Sequence, residues 1–146
     1  MLFTVGRAER LMDMAFADDV AKFSAKTQAK IDTAFRKIAL DVFSEVILMS
    51  PVDTGRFRGN WQVSIGSIPA GTVEIDDKAG TATIGKVQAE TLGLTAGQTI
   101  YLINNLPYAI PLEYGSSWQA SGGMVRLTAQ RWKPIVDAVG RELSKE

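Results

Sequence analysis

Apolar side chains recur three or four residues apart at Val20, Phe23, Ile31, Ala34/Phe35, Ile38, Val42, Val46 and Met49, with Thr27 filling one gap. Lys22, Lys26, Lys30, Lys37, Asp41 and Glu45 fall on the other faces. This pattern predicts an amphipathic helix with one apolar stripe over residues 18–50. Asp18 or Asp19 can cap its start, and Pro51 restricts Ser50 and ends it. A helix of that span is roughly 48 Å long. It either lies wholly within a core or reaches past one, and the pattern leaves both open. Ahead of it, Leu2, Phe3, Val5, Leu11, Met12, Met14 and Phe16 give residues 1–17 the character of an apolar arm that folds back or docks on a neighbour. The chain is thus divided into an arm, 1–17, and one domain, 18–146.

After Pro51 the period changes. Trp61, Val63 and Ile65 alternate with Gln62, Ser64 and Gly66, which predicts a half-buried strand. Residues 72–75 and 81–84 flank the turn-forming Asp76-Asp77-Lys78-Ala79-Gly80 and are expected to form a hairpin. A short helix is expected over 87–94 and a further strand over 99–104. The helical period returns from Gly123 through Val125, Thr128/Ala129, Trp132, Ile135/Val136, Val139 and Leu143, with a kink or break near Trp132 imposed by Pro134. The expected fold class is α+β: a long N-terminal helix and a C-terminal helix packed on a small antiparallel β-sheet of three or four strands.

Composition narrows the chemistry. The chain has 146 residues, 46% of them apolar, enough for one cored domain. It has no cysteine and no histidine. That removes disulfides, thiolate nucleophiles, cysteine zinc sites, imidazole bases and Ser-His-Asp triads. Sixteen basic and sixteen acidic side chains balance, and no long segment departs from neutrality by more than two charges. This argues against a protein that grips nucleic acid by neutralising phosphates. No apolar run approaches a membrane span, and Arg7, Glu9, Arg10 and Asp13 interrupt the apolar stretch a signal peptide would need. The protein is expected to act in the compartment where it is made, with no cofactor, no metal and no membrane partner.

Asp53-Thr54-Gly55 matches the tripeptide of aspartic proteases, whose chemistry needs two carboxylates sharing a proton in a shielded cleft. Here the motif follows a helix end and Pro51 rather than an apolar strand, and Arg56 and Arg58 would hold the aspartate ionised. Turn chemistry is the simpler reading: Asp53 bonds backbone N–H groups two residues on, and Gly55 takes a positive φ. Arg56 and Arg58 then project toward a carboxylate or a partner. Gly122-Gly123 reads as helix capping rather than a phosphate loop, Asp76-Asp77 as a solvated hairpin tip rather than a metal pair, and Ser116, Ser117 and Ser121 have no imidazole partner. A last stretch is dense in aromatics and prolines, with Tyr101, Pro107, Tyr108, Pro111, Tyr114 and Trp118. Such side chains are favoured where one protein surface docks on another, and also serve ordinary packing.

Three blocks carry a resemblance. Ser50-Pro51-Val52-Asp53-Thr54-Gly55-Arg56-Phe57-Arg58-Gly59-Asn60-Trp61 resembles the turn of phage tail-completion and neck proteins, the group that contains lambda-type minor tail protein Z. The stretch from Asn104 and Asn105 through Pro107, Tyr108, Glu113, Tyr114 and Gly115 to Ser116 resembles that family's second block, and Gly122-Gly123-Met124-Val125-Arg126-Leu127-Thr128 its third. The blocks stand in the family's order over about residues 18–143. The resemblance implies a structural virion protein, assembled in the host cytoplasm, that forms a homo-oligomeric ring where tail meets head. A hexamer is expected from the symmetry of such tails. Its implied partners are the tail tube or tail-terminator protein and the head connector, with DNA passing through the lumen unbound. A tail-terminator ring, a small homodimeric aspartic protease and a host-encoded binding module are the alternatives. A pairing of Arg56 or Arg58 with Glu113, within or between subunits, is a further expectation.

Overall fold

Residues 2–5 and 28–145 are described by a computed structural model. The predicted long helix is present as α1 (Gln28–Met49). Its expected start at Asp18 or Asp19, its first turns over 18–27 and the apolar run at 11–16 lie outside the described residues. Ala34, Phe35, Ile38, Val42 and Val46 are buried as the stripe requires, but so are Ala39, Phe43 and Ile47. The buried face is wider than one stripe because α1 is flanked on two sides, by α3 (Thr81–Thr91) and by α6 (Trp132–Ser144). The helix stops where Pro51 demands, with Ser50 N–H closing a last turn onto Ile47 O at 3.2 Å.

Among the described residues the sheet has three strands: β1 (Leu2–Val5), β2 (Trp61–Ile65) and β3 (Ile100–Asn104), in the order β1-β3-β2 and antiparallel throughout. Leu2 lies opposite Ile103 and Trp61 opposite Asn104, so β3 is central. Ile100, Leu102 and Trp61 from the sheet meet Ile38, Phe43, Val46 and Ile47 of α1, Val87 of α3 and Val136 and Val139 of α6 in a single core. On the open side of β2, the Ile65 N–H donates to Glu90 Oε1 of α3 at 3.3 Å. The α+β class expected from the sequence is therefore present, with the first residues of the arm joined to the sheet.

Two expectations fail. No hairpin spans 72–84: residues 72–78 are irregular and residues 81–84 open α3. Asp77 decides the outcome. It is buried, and its carboxylate accepts from Gly80 N (3.0 Å), Thr83 N (2.8 Å) and Thr83 Oγ1 (2.7 Å), satisfying donors that the first turn of a helix leaves free. It is thus a helix cap rather than a solvated acid. The short helix expected over 87–94 is the second half of α3. The break expected near Trp132 is present: the C-terminal helix is two helices, α5 (Val125–Gln130) and α6, parted at Arg131. Pro134 has no N–H to offer the Gln130 carbonyl, so the chain restarts with the proline inside the first turn of α6, where a missing donor costs nothing.

Candidate interaction surface

The segment between α1 and β2 begins with a helix that must be closed. Arg58, in the one-turn helix α2 (Arg56–Gly59), does this from outside: Nη2 donates to Leu48 O and Ser50 O, both at 2.8 Å, and Nη1 donates to Lys78 O at 2.7 Å. The cation therefore sits on the last carbonyls of α1, where the helix dipole favours it, and ties them to the loop before α3. Burial lowers the pKa of its guanidinium, while nearby Asp77 opposes that shift. Trp61 is buried and its Nε1 donates to Ser50 Oγ at 2.7 Å, which in turn donates to Val46 O at 2.9 Å. Gly55 has φ +92°, and a Cβ there would stand 2.5 Å from Lys78 N. The turn is thus clamped between α1 and the loop that carries Asp77.

Within it, the Thr54 hydroxyl rather than the Asp53 carboxylate accepts the N–H two residues on, from Arg56 at 3.2 Å. Asp53 is exposed at the edge of a shallow groove, not enclosed in a cleft. Arg56 makes a loose, solvated ion pair with Glu74 at 3.5 Å.

The second block folds against the first. Asn105 Nδ2 donates to Pro69 O (3.1 Å) and Gly71 O (2.8 Å), holding the loop after β2. Pro107 is exposed and leads into α4 (Ala109–Glu113). The Tyr108 ring packs on Phe57 with centroids 5.9 Å apart, and Phe57 meets Trp61 edge-on at 5.8 Å. Gln119 joins the blocks directly: Oε1 accepts from Val52 N (2.9 Å) and Nε2 donates to Val52 O (3.1 Å).

Glu113 is buried, and the expected pairing with Arg56 or Arg58 does not occur. Its Oε2 accepts from Met124 N (2.9 Å) and Val125 N (3.0 Å), and its Oε1 from Arg126 N (2.9 Å) and Arg126 Nε (3.2 Å). Arg126 Nη2 also donates to Glu113 O at 2.6 Å. The reason is that α5 begins with free N–H groups that need an anion, and Glu113 supplies it from another block. Gly123, at φ +87°, makes room: a Cβ there would lie 2.6 Å from both Glu113 O and Glu113 Oε1. Gly115 turns the chain with φ +91°. Arg126 then lies over the Tyr114 ring, 4.8 Å from its centroid.

This bracing leaves a surface. Seven large apolar side chains are exposed among the described residues, and four of them, Tyr108, Ile110, Tyr114 and Trp118, lie within one short stretch. Trp118 is 89% exposed and Tyr114 71%. Large exposed apolar side chains concentrated in one stretch are a feature of docking surfaces, which makes this stretch the candidate interaction surface. Ile110, Arg126 and Gln119 belong to the arrangement but carry no signal in isolation. A GG pair before a helix, preceded by a lone acid, is the trace that Glu113 and Arg126 leave in the sequence.

Neither a curated protein nor a solved structure matches the chain. A family model does, over residues 14–115, and its description is "Bacteriophage HK97-gp10, putative tail-component". The match contains the clamped turn and the block through Gly115, and ends before the third block. It covers most of the chain, which therefore belongs to the HK97-gp10-like family of bacteriophage tail components.

Proposed function

We propose that this tail component is a structural ring protein: copies of the chain close a ring at the head–tail junction, complete the tail and join it to the head connector. The observation that carries this reading is the set of exposed side chains Tyr108, Ile110, Tyr114 and Trp118 in one stretch, with Tyr114 covered by the Glu113-bound Arg126. Such anchors supply most of the energy of a protein interface when they are preorganised. A chain with no net charge suits a lumen through which DNA slides without being held. The role is structural rather than catalytic: the chain has no histidine or cysteine, and Asp53 lies on an open turn. No described helix is long and apolar enough to cross a membrane.

Native mass spectrometry of the purified chain, alone and with tail-tube protein, tests the proposal. The expected result is a closed oligomer that binds the end of the tube, and loss of that oligomer on Trp118→Ala with the fold intact. A folded chain that stays monomeric in both conditions would refute it. Loss of a proteolytic activity on Asp53→Asn would replace it with the protease reading.

A further inference from the structure

A ring requires each copy to present two different surfaces, because a head-to-tail contact joins unlike faces. One is the run of exposed side chains from Tyr108 to Trp118, termed the ridge. Two surface grooves are candidates to receive it. The nearer is the groove of about 470 Å³ between residues 51–57 and the α4 loop. Gln119 already bonds both backbone groups of Val52 in its wall, and its lining includes Ser117 and Gln119, the neighbours of Trp118 itself. A second copy seating its tryptophan there would offer its own groove in return. That contact is two-fold, stops at a dimer and does not propagate round a ring.

The other groove, about 550 Å³, runs between the C-terminal half of α1 and the start of α6. Leu48, Met49, Pro134, Ile135 and Ala138 line it, and Leu48 is 53% exposed. Both of its walls belong to elements that carry no part of the ridge.

Resting on the ring reading, we propose that Trp118, with Tyr114 beside it, seats in the α1/α6 groove of the next copy. Buried aromatic side chains each remove about 150–250 Å² from water. The pair thus supplies roughly 40–60% of the ~800 Å² that each partner gives to a stable interface. This fits a central anchor ringed by weaker contacts. Charge agrees in sign: Arg126, half-exposed over Tyr114, arrives beside the acidic rim of the groove, Asp41 and Glu45. Both acids already have intramolecular partners, Lys37 and Arg131, so the rim orients the encounter more than it tightens it.

Complementation separates this geometry from others. Trp118→Ala removes the ridge but keeps the groove; Ala138→Glu, at an exposed helical position, spoils the groove but keeps the ridge. Neither variant alone should form rings, while an equimolar mixture should yield a one-to-one heterodimer, visible by native mass spectrometry. Circular dichroism and thermal melting check that both variants fold. The chain has no cysteine, so a Ser116→Cys, Ala138→Cys double variant, which keeps Trp118, provides an independent reading. Mild oxidation should give a ladder of covalent oligomers ending at the ring's subunit number. Rings in the unmodified chain, with no heterodimer in the mixture and no ladder, would overturn the groove assignment and leave the ring reading standing. A ladder that stops at dimers, or a Ser116→Cys, Thr54→Cys variant that crosslinks instead, would do the same. An unmodified chain that never assembles would overturn the ring reading itself.

Discussion

Glu113→Ala is expected to be the most damaging single substitution in the surface loop, although it touches no exposed aromatic. The carboxylate is 5% exposed and accepts three backbone N–H groups at the start of α5, each at 2.9–3.0 Å. Hydrogen bonds to a charged acceptor contribute about 1.5–3 kcal/mol each, but the N–H groups of an opened helix end recover water, so the sum is not realised. The Arg126 side chain is half-exposed, which limits the ion pair itself to roughly 1 kcal/mol or less. The net expectation is a loss of about 3 kcal/mol, dominated by the lost backbone hydrogen bonds to the carboxylate. In a domain of this size that lowers Tm by roughly 6–12 °C. Urea denaturation read by tryptophan fluorescence measures the change directly. Glu113→Gln keeps one acceptor oxygen but turns an NH2 toward backbone donors, and should cost about 2 kcal/mol. Glu74→Ala removes the same charge from an exposed pair and should cost less than about 0.5 kcal/mol. If Glu113→Ala proves no more destabilising than Glu74→Ala, the buried carboxylate does not brace the loop and the reasoning fails.

Gly55→Ala should destabilise by about 2 kcal/mol or more, since it combines a left-handed backbone with a Cβ driven into the Asp77–Lys78 backbone; thermal melting checks it. Arg58→Lys keeps the charge but reaches fewer of the three carbonyls, and chemical denaturation should show a loss of about 1–2 kcal/mol. For Asp77, burial pushes the carboxyl pKa up, but the bonds from Thr83 and Gly80 and the charge of Arg58 outweigh it and hold it below its ordinary value. A depressed folded-state pKa contributes stability that is present above the unfolded value, about 4, and is lost as pH falls below it. Asp77→Asn should therefore cost about 1 kcal/mol near pH 7 and converge on the unmodified chain as denaturation curves are taken from pH 5 toward pH 3.

The elements that were legible in the sequence are those whose burial follows a simple period. Ile38, Val42 and Val46 announce α1, Pro51 its end, and Ile100 and Leu102 the central strand. Only the second half of α3 was legible, and its first half was read as a strand, because its buried positions, Thr83, Val87 and Thr91, include two threonines. Their polar labels hide a four-residue spacing, and their β-branched side chains suggest a strand. Strand β1 likewise needed its partner: four residues with no turn beside them say nothing of the pairing to β3, nearly a hundred residues away. At the surface, the aromatics of the second block were visible as candidates, whereas the partners of the charges were not. Opposite sign and shared motif membership suggested Arg56 or Arg58 for Glu113. Geometry instead assigned Arg58 to the end of α1 and Glu113 to the start of α5, since free helix-terminal carbonyls and N–H groups compete for ions with side chains of opposite charge. Trp61 shows the converse: an aromatic in a motif that serves the core through its bond to Ser50.

The claim that this tail component is a ring at the head–tail junction is tested most directly by electron microscopy of intact phage particles carrying the chain. The account predicts a closed ring of copies between connector and tail tube, with Trp118 of each copy buried against its neighbour. Copies found elsewhere in the tail, or particles with a complete neck from which the chain is absent, would contradict it.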